Sequence, residues 1–380
     1  MTEVYIVGID MLKFGRYPDR TPAQLAAEAT LGALEDAGLG IKDIQGVYAA
    51  SVFDAGHMIG QQVLREIGMT GAPCTNVSNA CASGANALRD AYRAIRAGVH
   101  DIVLAVGTEK MPKGMHALAF EGPPPEGLFG SGSMPAVFAE AGSAHAAKYG
   151  TTFAQFAQVS VKNHHHSTMN PKSMYRIETP LEQVMAAEMI SWPNTKLMCS
   201  VNVDGAAAAI LMSGEKARQL GLMDRAVRVR GSAMASETNS EMSEIGYDFN
   251  GATRAAAKTA YEMAGMGPED ISLVELHDCF ATAEILHYEN LGLCADGEAG
   301  RLIDTGYTAL GGKCPVNVSG GLLSKGHPVG ATGIANVYEI ATHLRGKAGE
   351  RQVEGARVGM THVVGVGYGA ACGIHILEKV

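Results

Sequence analysis

The chain of 380 residues lacks any long hydrophobic run and is poor in charged residues. A membrane-spanning helix needs an apolar run of about 18 residues or more, so the sequence predicts no transmembrane helix. Charged residues make up 18% and hydrophobic residues 47%, which excludes intrinsic disorder and indicates a folded protein with a large core. The formal net charge of -9 does not favour nucleic acid or an anionic membrane surface as a partner.

The chain also lacks any Cys-x-x-Cys pair among its seven cysteines. An odd number of scattered cysteines argues against a disulfide framework, and without such a pair a structural zinc site is not expected. We therefore predict no metal and a reducing, cytoplasmic location. Residues 4–7 predict a strand rather than a signal peptide, and the last three residues are not a peroxisomal tripeptide.

The sequence repeats itself in a second half. Residues 35–47 (EDAGLGIKDIQGV) resemble residues 262–274 (EMAGMGPEDISLV), and each copy predicts a helix end, a glycine-rich turn and a strand. Asn-Val-Ser at 76–78 recurs at 317–319, each time before a long helical pattern. Several matches in the same order indicate a duplicated, layered α/β unit that is repeated after residue ~225. We predict halves at 1–225 and 226–380.

Residues ~110–200 break the repeat and are predicted to be a loop insertion in the first half, of the kind that often contacts substrate. Three consecutive histidines begin at His164, but consecutive side chains do not converge on one ion, so we interpret them as a solvated helix end. Together with Lys162, Lys172 and Arg176 they make the stretch locally basic. It either meets the phosphates of a ligand or forms an ordinary solvated surface.

Cys81 follows a short apolar run and precedes a helical pattern. A cysteine at a strand-to-helix turn meets the positive end of the helix dipole, which favours thiolate over thiol. A lone cysteine is usually an inert hydrophobic residue, so a catalytic role for Cys81 depends on the partners around it. Two histidines in predicted turns, His277 and His327, would suit acyl transfer through a thioester on Cys81. Since these partners belong to the other half, we expect a site where the halves meet.

Carbon–carbon chemistry on a thioester also needs a second acid/base and an oxyanion hole. Cys279 and His277, in the segment His-Asp-Cys-Phe, are the candidates for these tasks. The backbone N–H of Cys81 and the glycine-rich residues 365–369 are candidates for a second oxyanion hole. The glycine segment by itself fits a tight turn before the last strand equally well.

These segments resemble the thiolase superfamily, in particular the sterol carrier protein X type. The resemblance is densest after residue 200 and rests on residues 79–84, 204–211, 275–280, 291–294, 319–333 and 344–349. It implies two α/β halves of shared topology in a layered αβαβα core. It also implies an acyltransferase with coenzyme A as co-substrate and no permanently bound cofactor.

The resemblance assigns a role to each candidate. Cys81 would be the nucleophile that carries the acyl group, and His327 would activate it. His277 stands where many thiolases have Asn, and would bind the thioester oxygen together with His327. Cys279 would be the acid/base at the α-carbon, and Gly369 would hold the acyl-enzyme oxyanion with the Cys81 amide.

Coenzyme A would need contacts of its own, and we predict them from four residues: Lys172, Arg176, Ser319 and Gly320. The chain departs from many thiolases near its C-terminus, where a Cys-x-Gly motif is replaced by Gly-Tyr-Gly at 367–369. Cys372 follows in an apolar strand pattern typical of the core. We therefore give the second acid/base role to Cys279.

The predicted reaction is thiolytic cleavage of a β-ketoacyl-CoA or the reverse Claisen condensation, and benzoylsuccinyl-CoA is one candidate substrate. Methionine, phenylalanine and proline residues of the insertion either shape a pocket for a bulky acyl group or pack as ordinary loops: Met111, Met115, Phe120, Pro123 to Pro125, Phe129 and Met134.

Alternatives to the predicted reaction are a thiolase-like aldolase, whose known members lack the nucleophilic cysteine, and a non-catalytic scaffold. The resemblance further suggests a homodimer or higher oligomer and a small zinc-ribbon/OB-fold partner subunit.

Overall fold

The computed structural model describes residues 2–112, 133–237, 250–367 and 369–380. The helices are α1 Pro22–Ala37, α2 Ile59–Ile67, α3 Ser83–Arg96, α4 Met134–Tyr149, α5 Phe153–Thr168, α6 Leu181–Ala186, α7 Gly214–Gln219, α8 Asn250–Ala264, α9 Ala281–Asn290, α10 Ala299–Asp304 and α11 Thr332–Leu344. The strands are β1 Val4–Met11, β2 Gly46–Ala50, β3 Cys74–Val77, β4 Ile102–Glu109, β5 Met189–Ser191, β6 Asn194–Thr195, β7 Gly205–Ser213, β8 Val227–Ser236, β9 Leu273–Glu275, β10 Val358–Gly367 and β11 Gly369–Lys379. Within these ranges no helix is both long and apolar enough to cross a membrane.

Nine strands form one mixed sheet in the order β3-β2-β4-β7-β1-β8-β11-β10-β9. The order is repeated on either side of the centre: β1-β7-β4-β2 corresponds to β8-β11-β10-β9, with the same parallel and antiparallel pairings. The two parts join through β1 and β8, which pair at only two positions. This repetition confirms the predicted duplicated α/β fold, while the boundary after residue 225 stays a prediction.

Two helices, α3 and α11, lie between the two parts of the sheet. Helix α3 packs on β4 and also contacts β11, and α11 packs on β10 and also contacts β7. Helix α1 covers β1 and β7 on one outer side, and α8 covers β8 and β11 on the other. The layers therefore follow the predicted αβαβα order.

Small residues allow the central layer to pack closely. A β-carbon on Gly333, near the start of α11, would lie 2.2 Å from the backbone nitrogen of Ala85 in α3. Strand β7, whose sequence GAAAAILMS contains four alanines, is buried along its whole length. Bulky residues here would push the helices from the sheet, so these positions determine how near the first turns of α3 and α11 approach.

The segment predicted as an inserted loop is largely helical where it is described, since α4, α5 and α6 and the β5–β6 hairpin occupy residues 134–195. The histidine triplet lies at the end of α5, but His164 and His166 are buried and only His165 is exposed. The prediction of a solvated helix end is therefore wrong for two of the three. Lys162 is also buried, against Glu284 at 2.6 Å, so it adds nothing to a basic surface.

Candidate active site

Cys81 lies in a tight turn between β3 and α3. Its neighbour Ala80 has φ 47°, in the left-handed region that residues other than glycine rarely adopt. The Ser83 side chain closes the turn, because its hydroxyl accepts from the Asn79 N–H at 2.7 Å and donates to the Ala80 carbonyl at 2.6 Å. The turn places the half-buried Cys81 just ahead of the first residue of α3.

His327 faces Cys81 from the loop before α11. Its Nε2 lies 3.3 Å from the Cys81 Sγ, and its Nδ1 lies 2.8 Å from the Thr332 hydroxyl. That hydroxyl donates its proton to the Pro328 carbonyl at 3.1 Å, so it accepts from Nδ1–H of His327. This assignment leaves Nε2 with a lone pair directed at the thiol, which is the tautomer a base for Cys81 requires.

His277 completes the group. Its ring meets the His327 ring nearly edge-on, with centroids 5.1 Å apart and planes at 68°. The Cys81 sulfur and one nitrogen of each histidine all lie within 4.8 Å of one another. His277 is 1% exposed, and among the described residues neither of its ring nitrogens has a hydrogen-bond partner. Buried polar atoms are normally paired, so these nitrogens are available to a ligand.

The resting protonation states follow from burial. Burial raises the pKa of the Cys81 thiol to about 12, although its own backbone N–H acts in the opposite direction. Burial lowers the pKa of His327 to about 3. At neutral pH the pair is therefore a thiol and a neutral imidazole. The prediction of a thiolate is therefore wrong for the resting protein, since desolvation outweighs the effect of the backbone N–H.

Cys279 lies between β9 and α9, and it is buried. Burial raises the pKa of its thiol well above the ordinary value, and the negative charges that Cys81 and Asp278 can carry act in the same direction. The electrostatic effect of one thiol on the other shows that Cys279 lies near the Cys81 turn. A thiol with this pKa holds its proton at neutral pH and is suited to donate it to a strongly basic carbon.

Comparison with known proteins identifies the family. The family description "Thiolase, N-terminal domain" matches residues 4–186, and "Thiolase C-terminal domain-like" matches residues 231–379. The chain belongs to the thiolase family. The resemblance found in the sequence is thereby confirmed, and so is the prediction of an acyltransferase.

Three curated relatives of this thiolase agree with the assignment. The acetyl-CoA acetyltransferase of Methanothermobacter thermautotrophicus is 40% identical over 100% of both chains. Sterol carrier protein 2 of Homo sapiens is 39% identical over 97% of this chain and 70% of its own. The benzoylsuccinyl-CoA thiolase subunit BbsB of Thauera aromatica is 35% identical over 96% of this chain and 95% of its own.

One solved structure resembles the thiolase over nearly its whole length. It is described as "Ltp2-ChsH2(DUF35) aldolase", and it superimposes with a TM-score of 0.85 at 25% identity. The match covers 99% of this chain and 98% of that chain. A protein named as an aldolase thus shares the fold, so the fold alone does not distinguish acyl transfer from aldol cleavage.

Glu109 of the thiolase joins β4 to the loop that carries His327. Its buried carboxylate accepts from the Ser51 hydroxyl at 2.8 Å and from the Gly330 N–H at 3.1 Å. Burial raises the pKa of Glu109 to about 7. Glu109 is not among the residues predicted from the sequence. A carboxylate two residues after the apolar run 102–107 is a signal that could have indicated it.

A group of buried charges lies beneath the same loop and was also missed. Lys325 is 1% exposed, and its Nζ lies 3.6 Å from Glu275 and 3.9 Å from Glu339. Glu339 in α11 also pairs with Arg351 at 2.8 Å. The group ties β9 and α11 to the turn that precedes His327, and no local sequence pattern reveals such a pairing.

The four residues predicted to contact coenzyme A differ in burial and in hydrogen-bond partners. Ser319 and Gly320 are buried, and the Ser319 hydroxyl donates to Glu275 at 2.6 Å. Lys172 donates to Asp10 at 2.8 Å, and the exposed Arg176 donates to a backbone carbonyl of α5 at 2.8 Å. Their contact with coenzyme A stays a prediction.

Gly369 begins β11 opposite Gly367 of β10. Four residues earlier, Gly365 packs directly on the Cys81 turn, since a β-carbon there would lie 2.1 Å from the Asn79 carbonyl oxygen. The glycine segment therefore approaches the Cys81 turn through its backbone, as an oxyanion hole built from N–H groups requires. The specific role given to Gly369 stays a prediction.

Proposed function

We propose that this thiolase is an acyl-CoA C-acyltransferase that cleaves a β-ketoacyl-CoA with coenzyme A, or runs the reverse Claisen condensation. The observation that carries the proposal is the 3.3 Å approach of the His327 Nε2 to the Cys81 Sγ, with a tautomer that can take the thiol proton. The names of the relatives, an acetyl-CoA acetyltransferase and a thiolase subunit, agree with it.

In the first step Cys81 attacks the β-keto carbon, and its proton passes to the His327 Nε2. The bond between the α- and β-carbons then breaks, which leaves the acyl group on Cys81 and an enolate on the departing thioester. Cys279 donates its proton to the enolate carbon and becomes a thiolate. The raised pKa of Cys279 supports proton transfer from this thiol to the enolate, because the thiol still holds its proton when the enolate forms.

In the second step the thiol of coenzyme A attacks the acyl-enzyme. Its proton goes to the Cys279 thiolate, and the leaving Cys81 sulfur recovers its proton from His327. Both cysteines return to the thiol form, so the cycle consumes only the β-ketoacyl-CoA and coenzyme A. The unpaired nitrogens of His277 support the further assignment that this ring helps bind the thioester oxygen.

An aldolase remains the second candidate, because the structure named as an aldolase superimposes so well. A retro-aldol cleavage needs no acyl-enzyme, so it gives no reason for a cysteine held at 3.3 Å from a correctly oriented imidazole. The two candidates therefore differ in whether Cys81 becomes acylated. This difference decides between them experimentally.

Benzoylsuccinyl-CoA stays a candidate substrate within the proposal, supported by 35% identity to a protein named as a subunit of benzoylsuccinyl-CoA thiolase. Of the residues suggested to shape an aromatic pocket, Met111 is buried and Met134 begins α4. The others, from Met115 to Phe129, lie outside the described residues. Comparing turnover of acetoacetyl-CoA with that of aryl β-ketoacyl-CoA esters measures the preference directly.

A partner subunit is also proposed, because one relative is named as a subunit and the name of the similar aldolase joins two components. A small zinc-ribbon/OB-fold protein is the candidate. Co-purification from the native host, followed by mass spectrometry and zinc analysis, tests the partner. Light scattering of the isolated chain measures the predicted homodimer or higher oligomer.

The acyl-enzyme is tested by intact mass spectrometry after incubation with acetyl-CoA or acetoacetyl-CoA. We expect one acyl adduct, which proteolysis maps to Cys81 and which coenzyme A removes. Cys81→Ser should form no adduct while its circular dichroism is unchanged. Cys74→Ser, in the strand that leads to the same turn, is the matched control and should be acylated normally. An unmodified wild type that still cleaves substrate would favour the aldolase.

A further inference from the structure

The group formed by Cys81, His277 and His327 has the composition of a metal site as well as that of a catalytic site. One sulfur and two imidazole nitrogens lie within 4.8 Å of one another. The three residues lie in loops that are far apart in sequence and belong to both parts of the fold. No local spacing pattern therefore predicts the site. Thiolate and imidazole are the protein ligands that Zn²⁺ prefers.

A second observation points to a ligand at this group. His277 is 1% exposed, and both of its ring nitrogens lack a hydrogen-bond partner within the part of the chain that the structure describes. The His327 Nε2 also presents a lone pair, because Nδ1–H donates to the Thr332 hydroxyl. Two imidazole lone pairs beside one sulfur are therefore available without breaking any other contact of the rings.

We propose that Cys81, His277 and His327 bind a soft divalent cation of the Zn²⁺ type, with three protein ligands and an open fourth position. Three ligands and one open position are typical of zinc sites that exchange their metal-bound water or ligand.

The bond lengths can be met by small movements. Zinc bonds of about 2.0–2.3 Å give ligand atoms about 3.3–3.8 Å apart in a tetrahedral site. The Cys81 sulfur and the His327 nitrogen are already 3.3 Å apart. The widest separation in the group must therefore shrink by about 1 Å, which side-chain rotation can supply.

Binding exchanges protons without any redox change. The Cys81 S–H bond breaks, the sulfur binds the metal as thiolate, and the proton leaves to the solvent. Both histidines bind through lone pairs and keep their remaining ring protons. Metal and acyl group then compete for the same sulfur. Zinc should therefore inhibit the enzyme reversibly, and prior acylation of Cys81 should prevent zinc binding.

The test measures metal binding to the metal-free protein without substrate, so its outcome is independent of the proposed reaction. Zn²⁺ is titrated by competition with a chromophoric chelator, and Co²⁺ is added to detect thiolate-to-cobalt charge-transfer absorption. Wild type should bind one Zn²⁺ per chain. Removal of a ligand in Cys81→Ser or His277→Asn should weaken binding at least about 100-fold, since even outer-shell changes cost 10–100-fold.

Two controls keep the result interpretable. His165→Asn removes an exposed imidazole that contacts Glu178 at 2.7 Å, a typical adventitious surface ligand, and should bind zinc as wild type does. The thiolate-to-cobalt charge-transfer band of wild type reports sulfur ligation without any mutation, which covers the case of a misfolded variant. Equal zinc affinity in all proteins, loss of binding in His165→Asn, or no binding by wild type would each overturn the proposal.

Discussion

At the scale of single residues, the site is governed by desolvation. Cys81 and His327 are both held in their neutral forms, and in the proposed reaction the proton moves between them only when a substrate carbon accepts the sulfur electrons. The Thr332 hydroxyl decides which His327 nitrogen faces the thiol. The chemistry therefore depends on the contact between the two groups more than on a preformed thiolate.

The protonation state of Cys81 can be measured by its thiolate absorbance in the ultraviolet, taken as the difference between wild type and Cys81→Ser. Because burial raises the pKa to about 12, the thiol form is kept throughout the neutral range. We expect no thiolate signal from Cys81 between pH 5 and 9, and a signal only as the pH approaches 12. Cys74→Ser gives the matched difference for another partly buried cysteine. A Cys81 thiolate signal already present at pH 6 would contradict the neutral pair.

The role of Cys279 can be separated from that of Cys81. In Cys279→Ala the enolate has no proton donor, so cleavage should fall about 100-fold or more, the usual contribution of a general acid. Acylation of Cys81 from a simple acyl thioester should still occur, although slowly, because the departing thiolate can take its proton from water when Cys279 is absent. Cys314→Ala is the matched control, since Cys314 is another buried cysteine of the same apolar cluster. Cleavage at the normal rate by Cys279→Ala would place the acid elsewhere.

At the scale of elements, the site depends on how closely the first turns of α3 and α11 approach. A β-carbon on Gly84 would lie 2.9 Å from the Gly330 carbonyl oxygen, and one on Gly333 would collide with the backbone of α3. Cys81 precedes α3 and His327 precedes α11. The distance between these helices therefore also sets the distance between Cys81 and His327.

Gly333→Ala tests this dependence. The added methyl group must displace backbone atoms, so we expect a loss of about 1–3 kcal/mol in the free energy of unfolding, measured in urea. Activity should fall as well, because α11 moves His327 away from Cys81. Gly56→Ala is the control, since its β-carbon has no atom within 4 Å and its φ is not positive. Equal stability and activity of the two variants would show that the helices tolerate separation.

At the scale of the whole molecule, buried charges hold the two-part sheet and its central helices around the His327 loop. Glu275, Lys325, Glu339 and Arg351 come from four separate segments. Burying charges costs free energy, so such a group contributes to specifying the arrangement more than to stability. Glu109, at the end of β4 in the first part of the sheet, also holds the His327 loop, because its carboxylate accepts from the Gly330 N–H.

Lys325→Met should be strongly destabilising. The change leaves the carboxylates of Glu275 and Glu339 without their shared cation, and removing one partner from a buried ion pair costs about 3–5 kcal/mol. Urea unfolding followed by circular dichroism measures it. The same substitution at Lys258, whose exposed pair with Glu262 spans 4.0 Å, should change stability by less than about 1 kcal/mol. A small effect at Lys325 would mean that Glu275 is already protonated and that Arg351 alone suffices to neutralise Glu339.

The sequence alone determined the duplicated α/β fold, the family and the candidate reactive groups, because repeats and the motifs around Cys81, His277 and His327 are local patterns. It did not reveal Glu109, Lys325 or the orienting Thr332, and it predicted the wrong ionisation for Cys81 and the wrong environment for His164 and His166. Those properties depend on which segments pack together and on how much water they exclude. Only the tertiary structure decides them, since desolvation and hydrogen-bond direction arise from contacts between residues far apart in the chain.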